Sequence, residues 1–123
     1  MPAPTVLVVE DDPVILRLLE VNFELEGFTV LLAHDGAEGI EVARANQPDV
    51  IISDIMMPKT SGLELVETLK ADPDTKGIPI ILLSAKAQTS DLKTGLEAGA
   101  DDYVTKPFEP LDLVERVNEL LSR

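Results

Sequence analysis

The chain has 123 residues, 45% hydrophobic and 27% charged, a balance that suits one globular domain with one core and disfavours disorder. Without cysteine there is no disulfide framework and no zinc–thiolate site, and a formal charge of −13 with ten scattered Lys and Arg argues against direct nucleic-acid contact. No apolar run reaches bilayer length, and the start MPAPT lacks a charged n-region and an h-region, so no membrane span and a cytoplasmic location are expected.

Apolar runs alternate with helical patterns along the chain. The first run, Thr5–Val9, ends in three consecutive carboxylates, Glu10, Asp11 and Asp12. Asp12-Pro13 then reads as an N-cap followed by proline at the first helical position, with Val14, Leu18, Val21 and Leu25 recurring at helical spacing until Gly27. A second strand is predicted over Thr29–Ala33, ending at His34-Asp35. A helix follows over Gly36–Asn46, with Ala37, Ile40 and Ala43 on one side, and stops at Gln47-Pro48. Val50–Ser53 and Ile78–Leu83 are continuously apolar, which suits strands covered on both faces in a parallel sheet. Between them, Ser61-Gly62-Leu63-Glu64 matches a capping box ahead of Leu65 and Leu69. Thr89–Ala98 is the weakest predicted helix, interrupted by Gly95 and anchored only by Leu92 and Leu96; it is the element expected to be most mobile. A short strand, Asp102–Thr105, leads through Pro110 into a last helix whose inner stripe is Leu113, Val117, Leu120 and Leu121.

Five strands, each followed by a helix, give an α/β (βα)5 doubly wound domain with a five-stranded parallel sheet in the flavodoxin-like order 2-1-3-4-5. Ligands in such sheets bind beyond the carboxyl ends of the strands. Those ends carry Glu10-Asp11-Asp12, Asp54, Ser84 and Lys106-Pro107. Carboxylate oxygens from two strand ends suit Mg²⁺, a hard cation that often bridges to phosphate, and lysine is a compact phosphate partner. A serine hydroxyl adds one hydrogen-bond donor, and one of the aspartates is a candidate nucleophile for an aspartyl-phosphate. Each residue also has a plain structural reading: Asp12 as a cap, Asp54 as a strand-ending aspartate, Lys106 as a solvated side chain, His34 as a surface turn residue, and Met56 and Met57 as packing. The coincidence of four strand ends is what favours a site.

The motifs VLVVEDD, SDIMMP, LLSAK and GADDYVTKPF, in this order and spacing, resemble the receiver (response regulator) domain of two-component signalling across essentially the whole chain. The stretch GLEAGADDYVTKPFEPLDLVERV is especially similar to receivers of the winged-helix transcription-factor subfamily. The resemblance implies a single receiver domain over residues 1–123 with no output domain in this chain. It makes Asp54 the phosphoacceptor for a sensor histidine kinase or a histidine phosphotransfer protein. Asp11 becomes the direct Mg²⁺ ligand, Glu10 acts mainly through water, and the backbone carbonyl of Met56 completes the protein's donors. Ser84 matches the switch hydroxyl, Lys106 the phosphoryl-contacting lysine ahead of a cis Lys106-Pro107 bond, and Tyr103 the aromatic switch residue. The face built from the fourth helix, fifth strand and fifth helix would then change on phosphorylation. In the same subfamily that face forms a phosphorylation-linked homodimer, for which Asp102 with Arg116 keeps one charged pair and Glu97 with Arg123 is a second candidate. Leu92 stands where a basic residue opposite Asp112 is usual. The resemblance implies a regulator, not an enzyme acting on outside substrates. The alternative is a Mg²⁺-dependent phosphohydrolase with Asp54 as nucleophile, and it lacks an acid/base group at Met56.

Overall fold

A computed structural model of the chain describes residues 3–57, 60–84 and 96–122. The run TVLVV extends as β1 (Thr5–Val9) and turns through Asp12 into α1 (Pro13–Leu25). There follow β2 (Thr29–Ala33), α2 (Gly36–Asn46), β3 (Val50–Asp54), α3 (Gly62–Ala71), β4 (Ile80–Ser84), β5 (Asp102–Thr105) and a C-terminal helix (Pro110–Leu121). The predicted helix Thr89–Ala98 lies outside the described residues except for a helical turn at 96–98. All strand pairs are parallel and the order is β2-β1-β3-β4-β5, as expected from the sequence. No described helix is long and apolar enough to cross a membrane.

The strand boundaries shift for a local reason. Ile78 donates its amide to the Thr75 carbonyl at 3.0 Å, closing a turn, and Pro79 has no amide to give. The ladder therefore starts at Ile80, opposite Ile51, and runs through Ser84, while β3 keeps Asp54 as its last paired residue, opposite Leu83.

The core expected to be one body is split in two by the sheet. Val6, Val8, Val50, Ile52, Ile81 and Leu83 point to one face, under α1 and the C-terminal helix. Leu7, Val9, Ile51, Ile80 and Leu82 point to the other, under α2 and α3. Strands whose alternate residues are both buried explain the continuously apolar sequence, and each such side chain contributes about 2 kcal/mol.

The helices follow their expected caps more closely than their expected stripes. The expected caps form at Asp12, whose Oδ1 accepts the Val14 amide at 2.9 Å, and at Ser61, whose hydroxyl accepts the Glu64 amide at 3.2 Å. Asp35, expected only as the end of a strand, also caps its helix, its Oδ1 accepting the Glu38 amide at 2.8 Å. In α1, however, the stripe Val14, Leu18, Val21, Leu25 is not the inner one: Val14, Leu18 and Leu25 are 75%, 42% and 77% exposed. Leu16, Leu19 and Phe23 face inward instead, and Phe23 meets Phe28 edge-on with ring centroids 5.0 Å apart. In α2 the buried residues are Gly36, Gly39 and Ala43 rather than Ala37 and Ile40, and in the C-terminal helix Val114 is buried while Leu121 is only half-buried. Leu96 is exposed and anchors nothing in the core, where Ala100 is the neighbouring buried residue. Leu92 lies outside the described residues.

Candidate functional site

The carboxyl ends of β1, β3 and β5 meet at one point. Lys106 Nζ donates to Glu10 Oε1 at 3.0 Å and to Asp54 Oδ2 at 3.1 Å. Glu10 and Asp54 are buried, which carboxylates tolerate only with such partners. Glu10 Oε2 also accepts the Asp12 amide at 3.1 Å. Asp11 is exposed, yet Glu10, Asp11 and Asp54 each bring one carboxylate oxygen within 4.8 Å of the others. The three carboxylates expected at the end of β1 are thus divided, with Glu10 and Asp11 in the cluster and Asp12 turned to α1.

Charge at this point is unevenly held. Burial pushes the Glu10 carboxyl from 4.5 up to about 7; the Asp12 amide and Lys106 offset part of that rise, and the Asp54 charge adds to it. For Lys106, burial opposes the charged form, but hydrogen bonds to Glu10 and Asp54 outweigh it and raise the ammonium's pKa.

Ser84, buried at the end of β4, pairs in register with Thr105, and its carbonyl accepts the Lys106 amide. The Lys106-Pro107 bond is cis, as the resemblance implied. Met56 donates its amide to Asp54 Oδ1 at 3.4 Å; its side chain is 71% exposed, so the packing reading holds for half-buried Met57 and not for Met56. Tyr103 is half-buried in β5 against the cluster that α2 and α3 cover. His34 is a turn residue whose Nδ1 and amide both meet Glu38 Oε1. Asp102 and Arg116, expected as a charged pair between protomers, pair within one chain, Arg116 Nη1 reaching both carboxylate oxygens at 3.0 Å. Glu97 is exposed, and Arg123 lies outside the described residues.

Two features were missed by reading strand ends alone. Gly62 and Gly36 are close approaches of backbone to backbone, described below, and no local pattern marks such a contact. A groove of about 400 Å³ beside Lys106, lined by Ile15, Leu18, Pro107 and Phe108, was hidden by the wrong choice of stripe on α1.

Comparison with known proteins decides the family. Residues 6–118 match the response regulator receiver domain. The chain belongs to the response regulator receiver domain family. It is similar to the transcriptional regulatory protein PrrA of Mycobacterium tuberculosis, 48% identical over 98% of this chain and 51% of PrrA. It is also similar to the DNA-binding transcriptional regulator RpaA of Synechocystis, 41% identical over 98% of this chain and 50% of RpaA. The chain therefore spans about half the length of the curated relatives it matches, which are winged-helix transcription regulators. A crystal structure of a response regulator from Chloroflexus aurantiacus matches with a TM-score of 0.94 at 38% identity, covering 98% of this chain and 99% of that one. The receiver domain of a Pseudomonas aeruginosa sensor histidine kinase matches with a TM-score of 0.91 at 29% identity, over 98% and 99% of the two chains. That structure holds a magnesium ion in its active-site cleft.

The chain is a receiver domain of two-component signalling, and nothing in these relatives favours the phosphohydrolase alternative. Receiver domains take phosphoryl groups from histidine kinases and generally bind Mg²⁺ at an acidic pocket. The donor set here fits that ion: three clustered carboxylates offer only hard oxygen atoms.

Proposed function

We propose that residues 1–123 act as one receiver unit in which Asp54 accepts a phosphoryl group from a phosphohistidine. The observation that carries this reading is Lys106, held between the buried carboxylates of Asp54 and Glu10 beside Asp11. An Asp54 carboxylate oxygen attacks phosphorus, the new O–P bond forms as the N–P bond to the donor imidazole breaks, and the imidazole keeps the electron pair. Lys106 Nζ, already on Asp54 Oδ2, has only to turn toward the incoming phosphoryl oxygens to balance their charge. The Ser84 hydroxyl donates to another of those oxygens. Glu10, Asp11, Asp54 and the Met56 carbonyl would hold Mg²⁺, which supplies positive charge against the repulsion between carboxylate and phosphoryl group.

Phosphorylation adds roughly −1.5 to −2 charge at Asp54, which draws Ser84 and Lys106 toward it. Tyr103 follows inward as Ser84 moves, and β5 with the C-terminal helix presents an altered face. A homodimer through Asp102, Arg116 and Glu97 would exchange between protomers the pair that Asp102 and Arg116 make within one chain. Sedimentation with and without beryllofluoride tests this, and an unchanged monomer sinks it.

The phosphoryl donor meets the chain at the groove beside Lys106, which exposed Leu18 and half-buried Ile15 of α1 line with Pro107 and Phe108. An apolar rim at that place suits a donor protein, whereas a small phosphodonor has no use for it. Incubation with acetyl phosphate and Mg²⁺ should add about 80 Da at Asp54, EDTA should block it, and Asp54→Asn should abolish it. Leu18→Asp should slow transfer from a cognate kinase by roughly tenfold and leave labelling by acetyl phosphate unchanged. No adduct at Asp54 refutes the acceptor reading; equal loss with both donors refutes the docking role of Leu18.

A further inference from the structure

α3 begins closer to the acid cluster than a side chain allows. The Gly62 amide donates to the Ile55 carbonyl at 3.0 Å. A Cβ at Gly62 would overlap the Asp54 carbonyl oxygen and lie 2.9 Å from the Ile55 Cα. On the other side of the same turn, a Cβ at Gly36, the first residue of α2, would overlap the Thr60 carbonyl oxygen and lie 2.8 Å from its Cβ. Thr60 precedes Ser61, the cap of α3. The turn at 60–62 is therefore held between the start of α2 and the backbone of Asp54. The atoms in the way belong to the backbone or lie one bond from it, so an added methyl must displace main chain rather than a side-chain tip.

Asp54 has little freedom to absorb such a push. Its carbonyl accepts the Ser53 hydroxyl at 3.0 Å, its carboxylate accepts the Met56 amide, and its other oxygen faces Lys106 Nζ at 3.1 Å. We infer that Gly62 is a positioning residue for the acceptor, seating α3 against the Asp54 backbone so that its carboxylate meets Glu10, Asp11 and Lys106, with Gly36 holding the turn from behind. The inference rests on the reading of Asp54 as the acceptor. Gly62 touches no reacting atom; it acts through the main chain of the residue that does.

A loss of stability alone would not distinguish this role from ordinary packing, so the comparison needs a glycine that strains the backbone elsewhere. Gly27 has φ +90° with nothing within 4 Å of its missing Cβ, and it precedes β2 at the opposite edge of the sheet. Gly62→Ala, Gly36→Ala and Gly27→Ala are each compared with the parent chain for thermal midpoint, for the Mg²⁺ concentration giving half-maximal labelling by acetyl phosphate, and for the maximal labelling rate per native molecule. Gly62→Ala is expected to raise the Mg²⁺ requirement and lower the maximal rate by roughly tenfold each, whereas Gly27→Ala changes both by less than about twofold. Gly36→Ala should move both in the same direction by less, and it decides the matter if Gly62→Ala does not fold. If the folded variants at 62 and 36 label like Gly27→Ala, the inference falls while the acceptor reading stands. If the parent chain forms no adduct at Asp54, the acceptor reading falls and takes the inference with it.

Discussion

Lys106 and Lys70 are buried to the same degree, their side chains 17% and 18% exposed, and each joins segments distant in sequence. They sit at opposite ends of the strands, Lys106 at the carboxyl end of β5 and Lys70 beside the amino ends of β4 and β5, and are surrounded by different chemistry. Lys70 Nζ donates to the carbonyls of Lys76 at 3.2 Å and Ile78 at 2.8 Å and to Asp101 Oδ2 at 3.1 Å. The same Asp101 oxygen accepts the Ile80 amide at 2.9 Å. Those three acceptors match the three donors of an ammonium and belong to turns fixed by the fold. Both described partners of Lys106 are carboxylates gathered at a candidate metal site, and each can be satisfied another way when a cation or phosphoryl group arrives. Burial of a lysine thus says little about function; whether its partners are exchangeable says much more.

Exchanging each lysine for methionine, similar in length but uncharged, is the sharpest way to break this comparison. Lys106→Met should lower labelling of Asp54 by acetyl phosphate roughly 100-fold, since the positioned cation is missing where phosphoryl charge must be balanced. Lys70→Met should leave the rate per folded molecule unchanged and destabilise the chain by about 2–4 kcal/mol, because two carbonyls and a carboxylate lose their donor. Labelling kinetics beside a denaturant melt measure both. A Lys70 variant that labels as slowly as the Lys106 variant would erase the distinction.

The sequence made one of these lysines legible and not the other, for a physical reason. Lys106 follows a strand directly, and strand ends in a parallel sheet converge on one edge, so a list of strand-end residues already joined it to Glu10, Asp11, Asp54 and Ser84. Lys70 reaches its partners from the last turn of a helix, and no spacing in the chain announces that contact. Local signals carried well: the caps at Asp12 and Ser61, the breaks at Gly27 and Gln47, and the doubly buried strands all follow from neighbouring residues. What failed was choosing between two apolar stripes on α1. Val14, Leu18, Val21 and Leu25 repeat as regularly as Leu16, Leu19 and Phe23, and only packing against Val6, Val8 and Phe28 decides which turns inward. The stripe left outside lies beside the candidate site, so the misreading of packing also concealed a surface.

The two ends should differ in pH response through Glu10. Its carboxyl is raised from 4.5 to about 7 in the folded chain, chiefly by burial, so the folded state holds a proton that the unfolded state releases across that interval. Stability from this group is complete below pH 4.5 and is lost as pH rises through about 7, on the order of 3 kcal/mol. Glu10→Gln should remove that slope, so that without divalent cation the variant gains on the parent as pH climbs from 4.5 to 7. Contributions from the Lys70 end are common to both chains and cancel in the difference. Equal slopes in the two chains would mean that Glu10 titrates as an exposed carboxylate does.

The smallest expected effect draws the boundary of the site within three adjacent residues. Asp12 touches the cluster only through its backbone, its amide donating to Glu10 Oε2 at 3.1 Å, while its carboxylate turns away to accept the Val14 amide. Asp12→Ala keeps the first contact and deletes the second. It should destabilise the chain by about 1 kcal/mol, the usual loss for an N-cap, with the Mg²⁺ requirement and the labelling rate unchanged. Asp11→Ala, by contrast, removes an oxygen from the cluster and leaves the cap intact, so it should raise the Mg²⁺ requirement with little change in stability. If the two variants instead behave alike, then EDD at the end of β1 works as one acidic patch, and charge alone, rather than the direction of each side chain, defines the edge that Lys106 serves.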